Sequence, residues 1–205
     1  MKRKIISVIL AIGIVASVTS CNLSRKFDEK KYIKYLEDEL GLEEVDSDEV
    51  EELVDESDDF AFYFCANAKE TRNIVWERIE LEDYYPSIHS VESSITFVDG
   101  SLTDDLEVVS LLTFEEEDDA IEFVEDAEEK FDDIRDITDY YADKDHNVVV
   151  AYMEDNHDYM CFGVYRVGNR VFVMTGINDE PEYEFDDFDD VCEEYDFDII
   201  EDLLY

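Results

Sequence analysis

The stretch NVVVAYMEDNHDYMCFGVYRVGNRVFVMTGI, residues 147–177, decides the fold. Residues 147–153, 158–167 and 170–176 are apolar and rich in β-branched and aromatic side chains, and read as strands. Gly168-Asn169 separates the second run from the third. A two-residue Gly-Asn link between apolar runs is a hairpin signal, and one of its two residues is expected to take positive φ. Three consecutive strands joined by short loops pair antiparallel. Their long apolar runs, with little polar alternation, predict strands covered on one or both faces.

Working outward, LEVVSLLTF (106–114) and SITFV (94–98) read as two more strands joined through Asp99-Gly100, and FAFYFC (60–65) as a buried strand. Residues 69–80, KETRNIVWERIE, contain the lone Trp76 and do not fix a period. DDAIEFVEDAEEKFDDI (118–134) places Ala120, Ile121, Val124, Ala127 and Phe131 on one helical face, with Ile134 close by. FDEKKYIKYLEDEL (27–40) reads as a helix with Ile33, Leu36 and Leu40 along one stripe and Gly41 as its stop. A last helix is expected over 186–204, with Phe188, Val191, Cys192 and Tyr195 followed by Ile199, Ile200 and Leu203. This order predicts an α+β domain: a mainly antiparallel sheet of about five or six strands with packed helices, analogous in topology to ferredoxin-like or PsbP/Mog1-like sandwiches. Residues 43–59, dominated by Glu, Asp and Ser, read as a solvated linker or short frayed helix. The expected division is therefore 1–20 as a signal segment, 21–59 as anchor, helix and acidic linker, and 60–205 as the acidic domain.

The N-terminus carries Lys2, Arg3 and Lys4, then an uncharged apolar run of 14 residues, 5–18, and then Val18-Thr19-Ser20-Cys21. A basic start, a short apolar run and small residues make a secretory signal. The run falls short of the ~20 residues that span a bilayer. With Cys21 at its end, the stretch resembles the bacterial lipoprotein signal, whose lipobox has an apolar or branched residue three before the cysteine and a small one just before it. The resemblance covers residues 1–21. It implies a diacylglycerol on the Cys21 thiol, cleavage before Cys21, and a location on the extracytoplasmic face of the cell membrane.

Charge sets the chain apart: 59 acidic residues stand against 16 basic ones, formally −43. Without residues 1–20 three cations are lost and no acid, leaving −46. Such a surface argues against nucleic-acid partners, which require clustered positive charge. A protein or cationic partner is compatible with it. Five of the remaining cations, Arg25, Lys26, Lys30, Lys31 and Lys34, lie just past Cys21. They can rest on anionic headgroups, or pair along a helix, as Lys30 and Lys34 could with Glu37 and Asp38. Cys65, Cys161 and Cys192 are an odd number, so no full disulfide framework exists, and each is expected as a small buried hydrophobe.

No motif carries a reaction. Asp143, Asp145 and Asn147, with Glu154 eleven residues after Asp143, imitate the ligand spacing of an EF-hand, but its sixth place is Val148 instead of glycine. His157 and Cys161 lie ~13 Å apart on an extended strand, too far to share a metal. A catalytic Cys–His pair would need His89 or His146 from another segment. The acidic runs 115–119 and 186–190 attract counter-ions, and the first also suits the positive end of the following helix. No catalytic residue and no cofactor is assigned; a loosely held cation such as calcium is compatible. The domain is read as a non-catalytic binding or accessory module of unknown ligand. An extracytoplasmic hydrolase or cation-dependent enzyme is the alternative, and a cation- or solute-binding lipoprotein a further one.

The charge generates a prediction. Self-repulsion destabilises the compact state, and screening shortens its range from ~30 Å at 0.01 M to ~8 Å at 0.15 M ionic strength. The melting temperature should rise with sodium chloride over that range and respond similarly to calcium at equal ionic strength. Stabilisation saturating at micromolar calcium would instead mark a specific site.

Overall fold

The computed structural model describes residues 28–56, 60–73, 85–86, 88, 90–101, 105–134, 137–155, 158–178 and 186–204. Helices α1 (Glu29–Asp38) and α2 (Val50–Glu56) precede β1 (Phe60–Ala66) and the short α3 (Ala68–Thr71). Then come β2 (Val91–Gly100), β3 (Leu106–Phe114), α4 (Glu117–Asp133), β4 (Ile137–Ala142), β5 (Val148–Asp155), β6 (Asp158–Val167), β7 (Arg170–Asn178), α5 (Asp186–Tyr195) and α6 (Ile200–Leu204). The fold is α+β, with one antiparallel sheet of order β1-β2-β3-β7-β6-β5-β4. The chain lays down β1, β2 and β3, crosses the sheet through α4, and returns from the far edge until β7 pairs with β3.

Strand alternation sorts the core into two layers. On one face Val108 and Leu112 of β3, Val171 and Val173 of β7, and Phe162 and Val164 of β6 pack with Val50 and Val54 of α2 and the apolar side of α4. On the other, Val109, Leu111, Phe172, Met174, Cys161 and Tyr165 pack with α1 and α5. Helices thus cover both faces, which is why the central strands carry almost no polar alternation.

Several expectations change in detail. The sheet has seven strands rather than five or six: in β4, ITDYYA, no residue is fully buried and no apolar run marks a strand. Residues 43–56 are no free linker. Leu42, Val50 and Val54 are buried, and Val45 N donates to Tyr63 O while Tyr63 N donates to Glu43 O, so this segment lies along β1. In α1 the buried residues are Tyr32, Tyr35 and Leu36, with Ile33 and Leu40 at the margin. In α4 Phe123 is buried where Ile121 was expected. The last helix is two, broken by Asp196 at φ 58°. Cys65 is exposed, because it and Ala61 lie on the side of β1 where only Tyr63, between them, is buried.

Local chemistry fixes the ends. The Asp28 carboxylate accepts from Lys30 N at 2.9 Å and caps α1, and Gly41 at φ 70° follows its last turn. Glu29 then ties α1 to the sheet, accepting from Ser93 Oγ at 2.6 Å and Thr113 Oγ1 at 2.9 Å. In the β6–β7 hairpin Gly168 has φ 63°, whereas Asn169 has no positive φ. That is the pattern of a type II′ turn, with glycine at the first central position. Asn169 is held otherwise: its Nδ2 donates to Phe114 O at 2.7 Å, and its carbonyl accepts from Phe114 N.

Two of the three positive-φ glycines, Gly168 and Gly100, differ in their surroundings. Gly168 has open space around a hypothetical Cβ, whereas a Cβ on Gly100, at φ 115°, would overlap the Asp105 carbonyl oxygen. Gly168→Ala should cost about 1 kcal/mol, from backbone conformation alone. Gly100→Ala should cost roughly 3 kcal/mol, because backbone must also move. Urea unfolding of both variants checks the order.

Candidate functional site

The densest polar cluster lies where the β4–β5 loop, the β6–β7 turn and the start of α4 meet. The loop is built on Asp143. Its carboxylate accepts from Asn147 N at 2.6 Å, Val148 N at 2.9 Å and Asn147 Nδ2 at 3.1 Å, closing the chain around His146, whose φ is 50°. Partial burial opposes the ionised form of Asp143, but these donors outweigh it and hold the carboxyl below its usual pKa.

Arg166 enters this loop from β6. Its side chain is 8% exposed, and among the described residues it is the one charged residue that counts as buried. Nε donates to His146 O at 2.9 Å, and Nη2 donates to Asn147 Oδ1 at 2.7 Å. Nη1 donates to Gly168 O at 3.2 Å and Glu117 Oε1 at 3.3 Å. Planar donors directed at fixed acceptors suit guanidinium and not ammonium. Glu117, 62% exposed, belongs to the acidic first turn of α4, so the helix end and Arg166 share its charge. Beyond it His146 faces α4, with Nδ1 3.2 Å from Glu128 and Nε2 3.5 Å from Glu125. The two ring nitrogens address different carboxylates, so the arrangement joins loop to helix and does not converge on one ion.

The EF-hand-like set does not assemble. Asp143 and Asn147 spend their oxygens within the loop and on Arg166, while Glu154 lies seven residues along β5, roughly 20 Å from Asn147. Among the described residues no group of three or more His, Cys, Asp or Glu side chains is placed to hold a metal. Cys161 and Cys192 are free and buried between β6 and α5. Burial pushes the Cys192 thiol up to about 12 and the Cys161 thiol higher still, which makes poor nucleophiles of both. Partial burial, with Glu44 and Glu29 nearby, pushes the Cys65 thiol up to about 11. His89, His157 and Cys21 lie outside the described residues.

A shallow depression of about 340 Å³ opens between the end of α1 and α5, lined by Tyr35, Glu39, Leu40, Asp190, Glu193 and Glu194. Its carboxylates favour cations in general and share no fixed geometry. Sequence reasoning singled out neither Arg166 nor Glu29. The available signal was a single cation inside the apolar run 158–167 of a chain poor in cations.

Arg166→Met should cost roughly 3 kcal/mol by leaving carbonyl and amide acceptors unsatisfied, and Glu117→Gln under about 1 kcal/mol because that carboxylate is mostly solvated. Asp143 adds a pH signature. A depressed folded-state pKa contributes stability that is present above the unfolded value of ~3.9 and lost as pH falls through the folded one. The stability gap between the parent and Asp143→Asn should therefore narrow below about pH 4. Thermal melts at pH 3 to 6 would show a constant gap if Asp143 were not the ionised anchor of the loop.

No family model and no curated protein matches the sequence. Among solved structures the chain is similar to the extracellular domain of PknH from Mycobacterium tuberculosis, at 8% identity and a TM-score of 0.41, over 74% of this chain and 89% of that one. A likeness at that level carries no argument about activity.

Proposed function

We propose that the chain is a lipoprotein anchored through Cys21 to the extracytoplasmic face of the cell membrane, and that its acidic α+β domain binds a partner and does not catalyse. The observation that carries this reading is the succession of residues in 1–21: basic start, uncharged apolar run, and Val18-Thr19-Ser20 before Cys21. The domain supports the second half. Among the described residues the buried charged residue, Arg166, and the carboxylate of Asp143 are engaged in holding loops together. Among the described residues no helix is long and apolar enough to cross a membrane.

On this reading the anchor is close to the domain. Because α1 already packs on the sheet, the tether is the stretch 22–27 rather than 43–59. Six residues reach at most about 20 Å, so the sheet stands within one domain diameter of the headgroups. Lys34 Nζ is 3.0 Å from Asp38, both exposed, so one of the membrane-proximal cations is shared with its own helix.

Metabolic labelling with a clickable fatty acid tests the anchor. Cys21→Ala should abolish the label and move the protein into the aqueous fraction; unchanged membrane retention would overturn the lipid assignment. Photo-crosslinking in intact cells from Glu122 and Glu193, both exposed, tests the binding role. A discrete adduct from one face is expected, and none from either face or from Thr138 would remove the binding reading.

A further inference from the structure

The two edges of the sheet are treated differently. At β1 the edge is occupied: Glu43–Val45 run alongside, bonded to Tyr63 through both its N–H, at 3.1 Å, and its carbonyl, at 2.8 Å. At the opposite edge β4 pairs with β5 alone among the described strands. An open strand edge presents unpaired N–H and C=O groups, and proteins usually blunt it with lysine, proline or a bulge. Residues 137–142 hold no lysine and no proline. The register irregularity sits between Ile137 and Asp139, at the start of the strand, and leaves Asp139–Ala142 in regular pairing with β5. Asp143 N donates to Val148 O, so by alternation residues 141 and 139 are bonded toward β5 and Tyr140 and Ala142 face outward, each offering a donor and an acceptor.

The side chains add a second observation. Tyr140 and Tyr141, 39% and 37% exposed, are the exposed large hydrophobic residues of the described chain, and both lie on β4. Being consecutive in a strand, they point to opposite sheet faces and frame the edge from both sides. The surroundings are acidic. Glu128 and Asp132 of α4 lie beside the Tyr140 hydroxyl, and residues 125–146 hold ten acidic residues against three basic ones. A second copy would bring two such surfaces within ~5 Å across a strand pair, where like charges repel.

We propose that the β4 edge is a docking site for an extended, lysine- or arginine-rich segment of a partner protein, which adds to the sheet as an eighth strand. Backbone hydrogen bonds to Tyr140 and Ala142 supply register, the two tyrosines supply apolar and cation–π contact, and the α4 carboxylates select positive charge. The inference rests on the binding reading above and is independent of the lipid anchor.

The test uses the full-length chain in nonionic detergent, with empty micelles as blank, and a synthetic peptide of alternating lysine and threonine. Binding is expected with protection of the amides of β4 from hydrogen exchange. N-methylation of the peptide at alternate residues should weaken it at least tenfold, as should Tyr141→Lys, which places a blunting charge on an exposed position without touching the core. A glutamate-for-lysine peptide should not bind. Equal affinity for the N-methylated peptide would reveal diffuse charge attraction and overturn the proposal, as would no binding at low salt, or a dimer forming through β4 without peptide. A chain that ignores the peptide yet crosslinks a partner from Glu122 or Glu193 would remove the edge site and leave the binding module standing.

Discussion

The pairing of β3 with β7 is the constraint on which the rest of the structure depends. Eight residue pairs, from Leu106↔Ile177 to Thr113↔Arg170, join strands some sixty residues apart and turn two meanders into one sheet. Every strand beyond them is local to its neighbour; this seam alone is not. It also fixes both faces at once. Val108 and Leu112 with Val171 and Val173 face one helical layer, while Val109 and Leu111 with Phe172 and Met174 face the other. A slip of one residue would exchange the two sets, and neither helical layer could accept the side chains it met. Closing so long a loop is costly before any contact repays it.

Such a sheet must absorb an unusual surface charge without admitting it to the interior. Burying a carboxylate without a partner is expensive, so the acids line helix exteriors and loop tips. Those that reach inward are engaged by donors: Glu29 by Ser93 and Thr113, Glu37 by Tyr63 Oη at 2.9 Å, Asp143 by the backbone of its own loop. The buried polar groups between the layers are mostly hydroxyls that satisfy one another. Thr96 and Ser110 pair at 2.8 Å, Thr71 and Ser94 pair, and Tyr85 Oη donates to Met174 O while lying 2.9 Å from Thr175 Oγ1. Among the described residues the one buried charged residue is Arg166, where a cation knots three chain segments at the rim of the sheet.

What the sequence made legible was whatever depended on neighbours in the chain. The β6–β7 hairpin follows from Gly168-Asn169, β3 from its unbroken apolar run, and α4 from its period. What escaped depended on distant partners. β4 earns its place by pairing with β5 and by lying between α4 and α6, and nothing in ITDYYA announces either. Residues 43–59 read as a solvated linker or short frayed helix because acids dominate them; 50–56 are helical, and Val50 and Val54 are buried in the core. The burial of α1 runs through Tyr32 and Tyr35, whose rings pack edge-on against Phe172 and Tyr195 of the sheet and α5; tyrosine in an acidic helix is neutral as a pattern signal. The proposed reading of Cys21, which lies outside the described residues, was legible from adjacent residues alone. The Arg166 knot was not, because its acceptors come from 117, 146, 147 and 168.

The same distinction bears on where function can reside. Both sheet faces are spent on core, the buried thiols are held protonated, and the most ordered polar cluster is occupied with its own loops. Interior chemistry would have to displace one of these, and each displacement carries a cost comparable to a large share of a domain's net stability. The periphery is less committed. There the field of some forty-odd uncompensated negative charges reaches any approaching partner before contact, and favours cationic ones over anionic ones regardless of shape. Shape must then come from whatever is ordered and incomplete at the rim. A helix exterior offers side chains on flexible stems, whereas a strand edge offers fixed backbone dipoles at fixed spacing. In a molecule whose charge is diffuse, the proposed docking at β4, which pairs with β5 alone among the described strands, would convert long-range attraction into a specific register.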